Sequence, residues 1–209
     1  MAITNIVVVT GSAGSGKDTV AEMLQQVHTE CVNVKFATAV VEVTSALFNI
    51  DSNLLATQEG KKEYYPTWEA TGRELLQYVG TDLVRNNLDS DHWVKLVSDK
   101  LIELAADNKQ HVLLFTDCRF HNEAEFISKL AESYMSELHH IKVNRKAVTT
   151  LRKEEAKHES EQEIEQLIFP NATSVSLINN DYSMRTLEID VLAKARLIFD
   201  YYGEANGAK

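Results

Sequence analysis

The stretch Ile6-Val7-Val8-Val9-Thr10-Gly11-Ser12-Ala13-Gly14-Ser15-Gly16-Lys17-Asp18-Thr19 decides the fold. Its opening β-branched run stops at a glycine, the pattern of a strand buried on both faces, as in a parallel sheet. From Gly16 onward Val20, Met23, Leu24 and Val27 recur at helical spacing. Strand, glycine-rich loop and helix in this order make an anion cradle. The glycines let successive backbone N–H groups curl around phosphate oxygens, and the helix N-terminus adds a positive partial charge. Lys17 stands where its ammonium reaches the β- and γ-phosphates of a nucleoside triphosphate. One position departs from the common pattern: after Lys17, where Ser or Thr usually holds Mg²⁺, the chain has Asp18, with Thr19 next. Either side chain is a candidate ligand, directly or through water, because Mg²⁺ commonly keeps several waters.

Outward from this loop, strands and helices alternate. Cys31 to Phe36 reads as a second strand and Val40 to Phe48 as a second helix. Residues 51–70 are polar and aromatic without a clear period. Helices are expected over about Gly72 to Leu88 and from an Asp91 cap through Leu104. His111 to Thr116 is the strongest strand after the first, and a helix follows around Ala124 to Leu130. His140 to Val143 and Thr173 to Ile178 are short strands, separated by a charged, helical stretch from Arg145 to Gln166. Leu187, Val191, Leu192, Ala195, Ile198, Phe199 and Tyr202 form an amphipathic C-terminal helix. Five strands separated by helices imply right-handed crossovers: an α/β protein with a five-stranded parallel sheet and helices on both faces. Ligands in such folds sit beyond the carboxyl ends of the strands. The chemistry is therefore expected at Gly11–Thr19, Asp117–Glu123 and Arg145.

The second of these segments is Asp117-Cys118-Arg119-Phe120-His121-Asn122-Glu123. A carboxylate at Asp117 faces the phosphate loop and can orient Mg²⁺ or its waters; its alternative role is a helix N-cap. Arg119 can bridge two phosphoryl groups and stabilise charge on the one in transfer, or else form a surface ion pair. Asn122 and Glu123 read as capping and pairing residues of the next helix. Trp68, Tyr64 and Tyr65 are candidates for stacking on a base, with loop packing as the alternative.

Composition narrows the class. At 209 residues the chain is short for two independent domains, and its 44% hydrophobic and 25% charged residues are those of an ordinary globular protein. No apolar run approaches the roughly 18–20 residues of a bilayer span. The N-terminus shows no secretory pattern, so a cytoplasmic location is expected. Cys31 and Cys118 match no zinc or redox spacing and are expected as buried thiols. The net charge of −10 argues against a nucleic-acid polymer or a membrane surface as partner. Yet five of the seven arginines, Arg73, Arg85, Arg119, Arg145 and Arg152, fall in or beside the candidate site segments. That placement suits a small phosphorylated ligand.

Several blocks together resemble the deoxynucleoside monophosphate kinase family of bacteriophages, a branch of the nucleoside monophosphate kinase-like P-loop proteins. They are Gly14 to Thr19, Phe36-Ala37, Arg73-Glu74-Leu75-Leu76-Gln77-Tyr78-Val79-Gly80-Thr81-Asp82 with Arg85, Asp91-His92-Trp93, Thr116 to Ala124, and His158-Glu159-Ser160-Glu161. The resemblance implies a three-layer P-loop fold with a helical lid over about residues 145–165. It also implies transfer of the ATP γ-phosphate to a deoxynucleoside 5′-monophosphate, with Mg²⁺. On this chain it places the ATP phosphates on Gly14, Ser15, Gly16, Lys17, Asp18 and Thr19. It places the acceptor on Phe36, Ala37, Arg73, Gln77 and Arg85, with Trp93 nearby, and Arg119 between donor and acceptor. Arg145, as a further catalytic cation, Arg152 and Glu161 would belong to the lid. The metal would lie on Asp18, Thr19 or Asp117. The resemblance admits a homodimer.

Two features depart from the family. The chain has Thr38-Ala39-Val40-Val41-Glu42 where a basic residue is frequent, and His121 where proline is usual. One domain is expected over residues 1–203, with an acceptor region at about 36–95 and a frayed tail at 204–209. Two other functions compete: a different small-molecule P-loop kinase resembling phosphomevalonate kinase, and a nucleotide-binding protein without catalysis.

Overall fold

The computed structural model describes residues 2–105, 110–146 and 163–199. In chain order the first half comprises β1 (Ala2–Thr10), α1 (Lys17–Val27), β2 (Cys31–Val34), α2 (Ala37–Phe48), α3 (Ser52–Ala56), α4 (Gln58–Lys62), β3 (Tyr64–Tyr65), β4 (Ala70–Thr71) and α5 (Gly72–Gln77). A π-helix covers Tyr78–Arg85. The second half comprises α6 (His92–Ala105), β5 (Gln110–Phe115), α7 (His121–Tyr134), β6 (Glu137–Asn144), β7 (Ser174–Asn179) and α8 (Met184–Phe199).

All five strands expected from the sequence are present, in one sheet of order β2-β5-β1-β6-β7. Every pairing in it is parallel. The central strand β1 shows why its residues are uniformly apolar. Ile6 and Val8 enter one core with Leu113, Phe115, Val97 and Ile127, under α6 and α7. Val7 and Val9 enter the other with Val20, Leu24, Leu187 and Val191, under α1 and α8. A strand buried on both faces has no polar side to present. The result is a three-layer α/β architecture. Cys31 and Cys118 are free and buried, and burial pushes the Cys31 thiol up to about 12.

Two local expectations change, and a third lies mostly outside the described residues. The single helix expected over residues 72–88 is α5 followed by the π-helix. Leu75, Val79 and Val84 are its large buried apolar positions, spaced by four and then five residues, whereas Leu83 is exposed. Burial spaced by five fits the wider π coil, and π segments often accompany functional sites. Residues 51–70, read as aperiodic, hold α3, α4 and the β3–β4 pair. With α5 they enclose a small third core of Ile50, Leu55 and Leu75. Each piece is too short to show a period. Finally, most of the helix expected over Arg145–Gln166 lies outside the described residues, as do Arg152, His158 and Glu161; Glu163–Gln166 form a 3₁₀ turn. Among the described residues no helix is long and apolar enough to cross a membrane.

Candidate active site

At the carboxyl ends of β1, β2 and β5 the chain opens a cleft of about 190 Å³. Ala13, Lys17 and Asp18 of the phosphate loop and the start of α1 form one wall, whereas Gly14, Ser15 and Gly16 do not line it. Gly14 and Gly16 have φ of 82° and 96°, in the left-handed region that glycine enters without strain. A Cβ at Gly16 would also collide with the Asn180 side-chain amide. That amide, just beyond β7, donates to the Ser15 carbonyl at 2.9 Å and braces the loop. Sequence reading missed Asn180, since nothing local links positions 15 and 180. Lys17 and Asp18 open α1 and both line the cleft; Thr19 does not. Of the two metal candidates after Lys17, only Asp18 therefore reaches the cleft wall.

The facing wall comes from α2, α4, α5 and the π-helix. Phe36, Ala37, Arg73, Gln77 and Trp93, all expected to face the acceptor, line it. Phe36 is also a core residue, stacked on Phe115 with ring centroids 5.7 Å apart. The buried Trp93 indole N–H donates to the Gly80 carbonyl at 2.8 Å. A capping box fixes the start of α5: the Thr71 N–H donates to Glu74 Oε2 at 2.7 Å and the Glu74 N–H to Thr71 Oγ1 at 3.3 Å. Arg73 thereby enters the cleft from the first turn of that helix.

Between the walls lies the loop after β5. Asp117 Oδ1 and Oδ2 accept the Phe36 and Ala37 N–H groups at 3.2 and 2.7 Å, so its carboxylate caps the start of α2. Burial raises its pKa, opposed by those two N–H groups and by the charges of Arg119 and Lys35. The capping role thus holds, on α2 rather than on the next helix, and the carboxylate still lines the cleft. Arg119 lines it as well. Its backbone N–H donates to Glu123 Oε2 at 2.8 Å, as does that of Phe120 at 3.2 Å. Burial pushes the Glu123 carboxyl up to about 7, against these N–H groups and Arg85, which favour its charged form.

Arg85, expected to hold the acceptor nucleotide, does not line the cleft, whereas the equally buried Arg73 does. Arg85 Nη1 donates to Asn122 Oδ1 at 2.7 Å and its Nη2 to Glu123 Oε1 at 2.8 Å, with the guanidinium 3.6 Å from the Phe120 ring centre. The five-residue step of the π-helix turns it inward, behind the site. Stacking on Trp68, Tyr64 or Tyr65 is likewise not favoured, since none of them lines the cleft. The Trp68 indole N–H donates to the Phe48 carbonyl at 3.0 Å and the Tyr65 hydroxyl to the Gly60 carbonyl at 3.4 Å. Arg145 is exposed after β6 and does not line the cleft.

The cleft adds residues that no motif marked. Lys35, Gln58 and Lys61 line it, so five cations (Lys17, Lys35, Lys61, Arg73 and Arg119) meet three carboxylates (Asp18, Asp117 and Glu123) in a chain of net charge −10. Such local reversal of sign attracts an anion. Gln77 Nε2 and Thr116 Oγ1 are buried on this wall with no hydrogen-bond partner among the described residues. Buried polar atoms are rarely left so. Among the described residues no cluster of three or more metal-ligating His, Cys, Asp or Glu side chains occurs.

The crystal structure of "a putative kinase from chloroflexus aurantiacus" has a TM-score of 0.52 at 11% identity, covering 95% of this chain and 98% of that one, a likeness of fold. A protein of Acanthamoeba polyphaga mimivirus named "Putative deoxynucleotide monophosphate kinase" is 30% identical over 182 residues, 81% of this chain and 86% of its own length. Residues 53–191, from α3 into α8, match the family described as deoxynucleotide monophosphate kinase. The chain belongs to the deoxynucleotide monophosphate kinase family.

Proposed function

We propose that this chain transfers the γ-phosphate of ATP to a deoxynucleoside 5′-monophosphate, giving the diphosphate and ADP. The observation that carries this reading is the arrangement of one cleft. Lys17 lies on the phosphate-loop wall, Arg73 and Gln77 on the facing wall, and Arg119 on the loop between them. Phosphoryl transfer needs alignment and charge neutralisation more than covalent help, and no nucleophilic side chain is required. Lys17 and the loop N–H groups hold the ATP phosphates. Arg73 holds the acceptor phosphate, and Gln77 uses its unpartnered amide on the nucleotide. Arg119 neutralises the phosphoryl group as it moves between the two.

The oxygen donors fit Mg²⁺: Asp18 and Asp117 offer carboxylates on the cleft wall. Bound there, the ion would neutralise phosphate charge. In this reading residues 1–203 are one domain. Residues 36–95 bind the acceptor, while 145–165, with Arg145, Arg152 and Glu161, close over both nucleotides.

Incubation with labelled ATP, Mg²⁺ and a panel of nucleoside and deoxynucleoside monophosphates, mevalonate 5-phosphate and no acceptor tests the reading. Labelled deoxynucleoside diphosphate is the expected product. Label that appears only on mevalonate 5-phosphate, or only as free phosphate, overturns it.

A further inference from the structure

Lys61 belongs to no motif, yet the fold carries it into the cleft beside Arg73. The cause is a close contact between two glycines. A Cβ on Gly72 would collide with the Gly60 carbonyl oxygen, and a Cβ on Gly60 with the Leu54 carbonyl. Backbones can approach this closely only where side chains are absent. The Gly72 N–H donates to the Glu63 carbonyl at 3.0 Å, and the Tyr65 hydroxyl donates to the Gly60 carbonyl, tightening the same joint. The helix α4 is thereby pinned to the start of α5. The residue after each glycine, Lys61 in one case and Arg73 in the other, is a cation on the same cleft wall.

We propose that Lys61 is a further substrate-binding residue, one that holds the phosphate of the acceptor monophosphate together with Arg73. The proposal rests on the kinase reading above. Lys61 is half-buried, and among the described residues no carboxylate lies within ion-pair distance of it. The charges that act on it are Arg119 from the loop after β5, Arg73 from α5, and Asp18 and Lys17 from α1. Three of those four are positive. Burial comes first, and with the three cations it brings the Lys61 pKa down to about 8. A half-buried lysine among cations is costly in the empty protein and favourable once a dianion arrives. During transfer an oxygen of the acceptor phosphate forms the new bond to the γ-phosphorus. The bond from that phosphorus to the β–γ bridging oxygen breaks, and its electron pair leaves with ADP. Lys61 stays an ammonium throughout; it holds the attacking phosphate and moves no proton.

The test compares Lys61→Gln and Lys61→Arg with the wild type, by calorimetric binding of deoxynucleoside monophosphate and of ATP, and by steady-state rates from pH 6.5 to 9.5. Lys61→Gln is expected to weaken monophosphate binding and raise its KM by roughly 10-fold or more, the scale of one charge-assisted contact. ATP binding should stay within about twofold of wild type. The wild-type kcat/KM for the monophosphate should fall as pH rises through about 8, where Lys61 loses its proton. That limb should disappear in Lys61→Gln and move above the measured range in Lys61→Arg, which should keep most of the affinity. Unchanged monophosphate affinity in Lys61→Gln overturns the proposal, as does equal weakening of ATP. A wild type that binds monophosphates but phosphorylates none refutes the kinase reading alone. A wild type that binds none refutes both.

Discussion

Arg85 and Glu123 form a buried ion pair, Nη2 to Oε1 at 2.8 Å, directly behind the loop that carries Arg119. The other oxygen of Glu123 holds the backbone N–H groups of Arg119 and Phe120. The pair thus joins the π-helix to the loop after β5, and the position of Arg119 in the cleft depends on an arginine that does not line it.

Removing one partner should therefore cost more than removing both. Arg85→Met leaves the Glu123 carboxylate buried without its cation, a loss of about 3–5 kcal/mol in unfolding free energy. The double variant Arg85→Met/Glu123→Leu should recover part of that loss while kcat stays low, because the Arg119 N–H is no longer held. Denaturant titrations of the single and double variants measure it. A full, independent sum of two losses would mean that the groups do not act as a pair.

Lys17→Ala should cut kcat by roughly 100-fold or more, the effect of removing one preorganised charge contact. The thermal midpoint should barely move, because Lys17 lies on the cleft wall rather than in the core. Near-normal turnover on every monophosphate would place the ATP phosphates elsewhere.

Arg119 and Arg73 should separate in kinetics. Arg119→Ala is expected to lower kcat and kcat/KM together, since its guanidinium gains most as charge spreads over the phosphoryl group in flight. Arg119→Lys should not rescue, because an ammonium lacks the planar fork. Arg73→Ala should mainly raise the acceptor KM and leave the ATP KM nearly unchanged. An Arg119→Ala variant changed only in a KM would remove that residue from its place between the two nucleotides.

Gly72→Ala tests the joint between α4 and α5. Its new methyl meets the Gly60 carbonyl oxygen, so α4 must shift. The acceptor KM should rise with little change in the ATP KM, as a combined readout of displaced Lys61 and Arg73. Unaltered kinetics would show that the joint tolerates the methyl.

Acid should destabilise the fold through His140. Its ring is buried against Phe169 and bonded to Thr10 Oγ1 at 2.8 Å, and burial brings its pKa from 6.5 to about 4. Between these two values the unfolded chain binds a proton that the folded one refuses, so stability falls as pH drops through that window. The loss reaches up to about 3 kcal/mol near pH 4. Denaturant midpoints at pH 7 and pH 4.5 should differ less in His140→Gln than in wild type. Equal differences would assign the acid sensitivity to other groups.

Five strands, the helices α1, α2, α6, α7 and α8, the phosphate loop and the edge of the sheet where the site lies were legible in the chain alone. Those features are written in spacing along the chain: β-branched runs, glycines before Lys17, apolar residues at helical intervals. It also marked Lys17, Asp18, Arg73, Gln77, Trp93, Asp117 and Arg119, all of which meet in one cleft. Tertiary structure decided the rest, because a side chain's task depends on what stands across from it. Arg85 looks like a ligand cation in sequence, but the π coil turns it onto Glu123, 38 residues away. Asp117 meets the start of α2, 80 residues upstream, and caps it. Lys61 sits in a segment too short for periodicity to mark. Only the contact between Gly60 and Gly72, two residues without side chains, sets it beside Arg73.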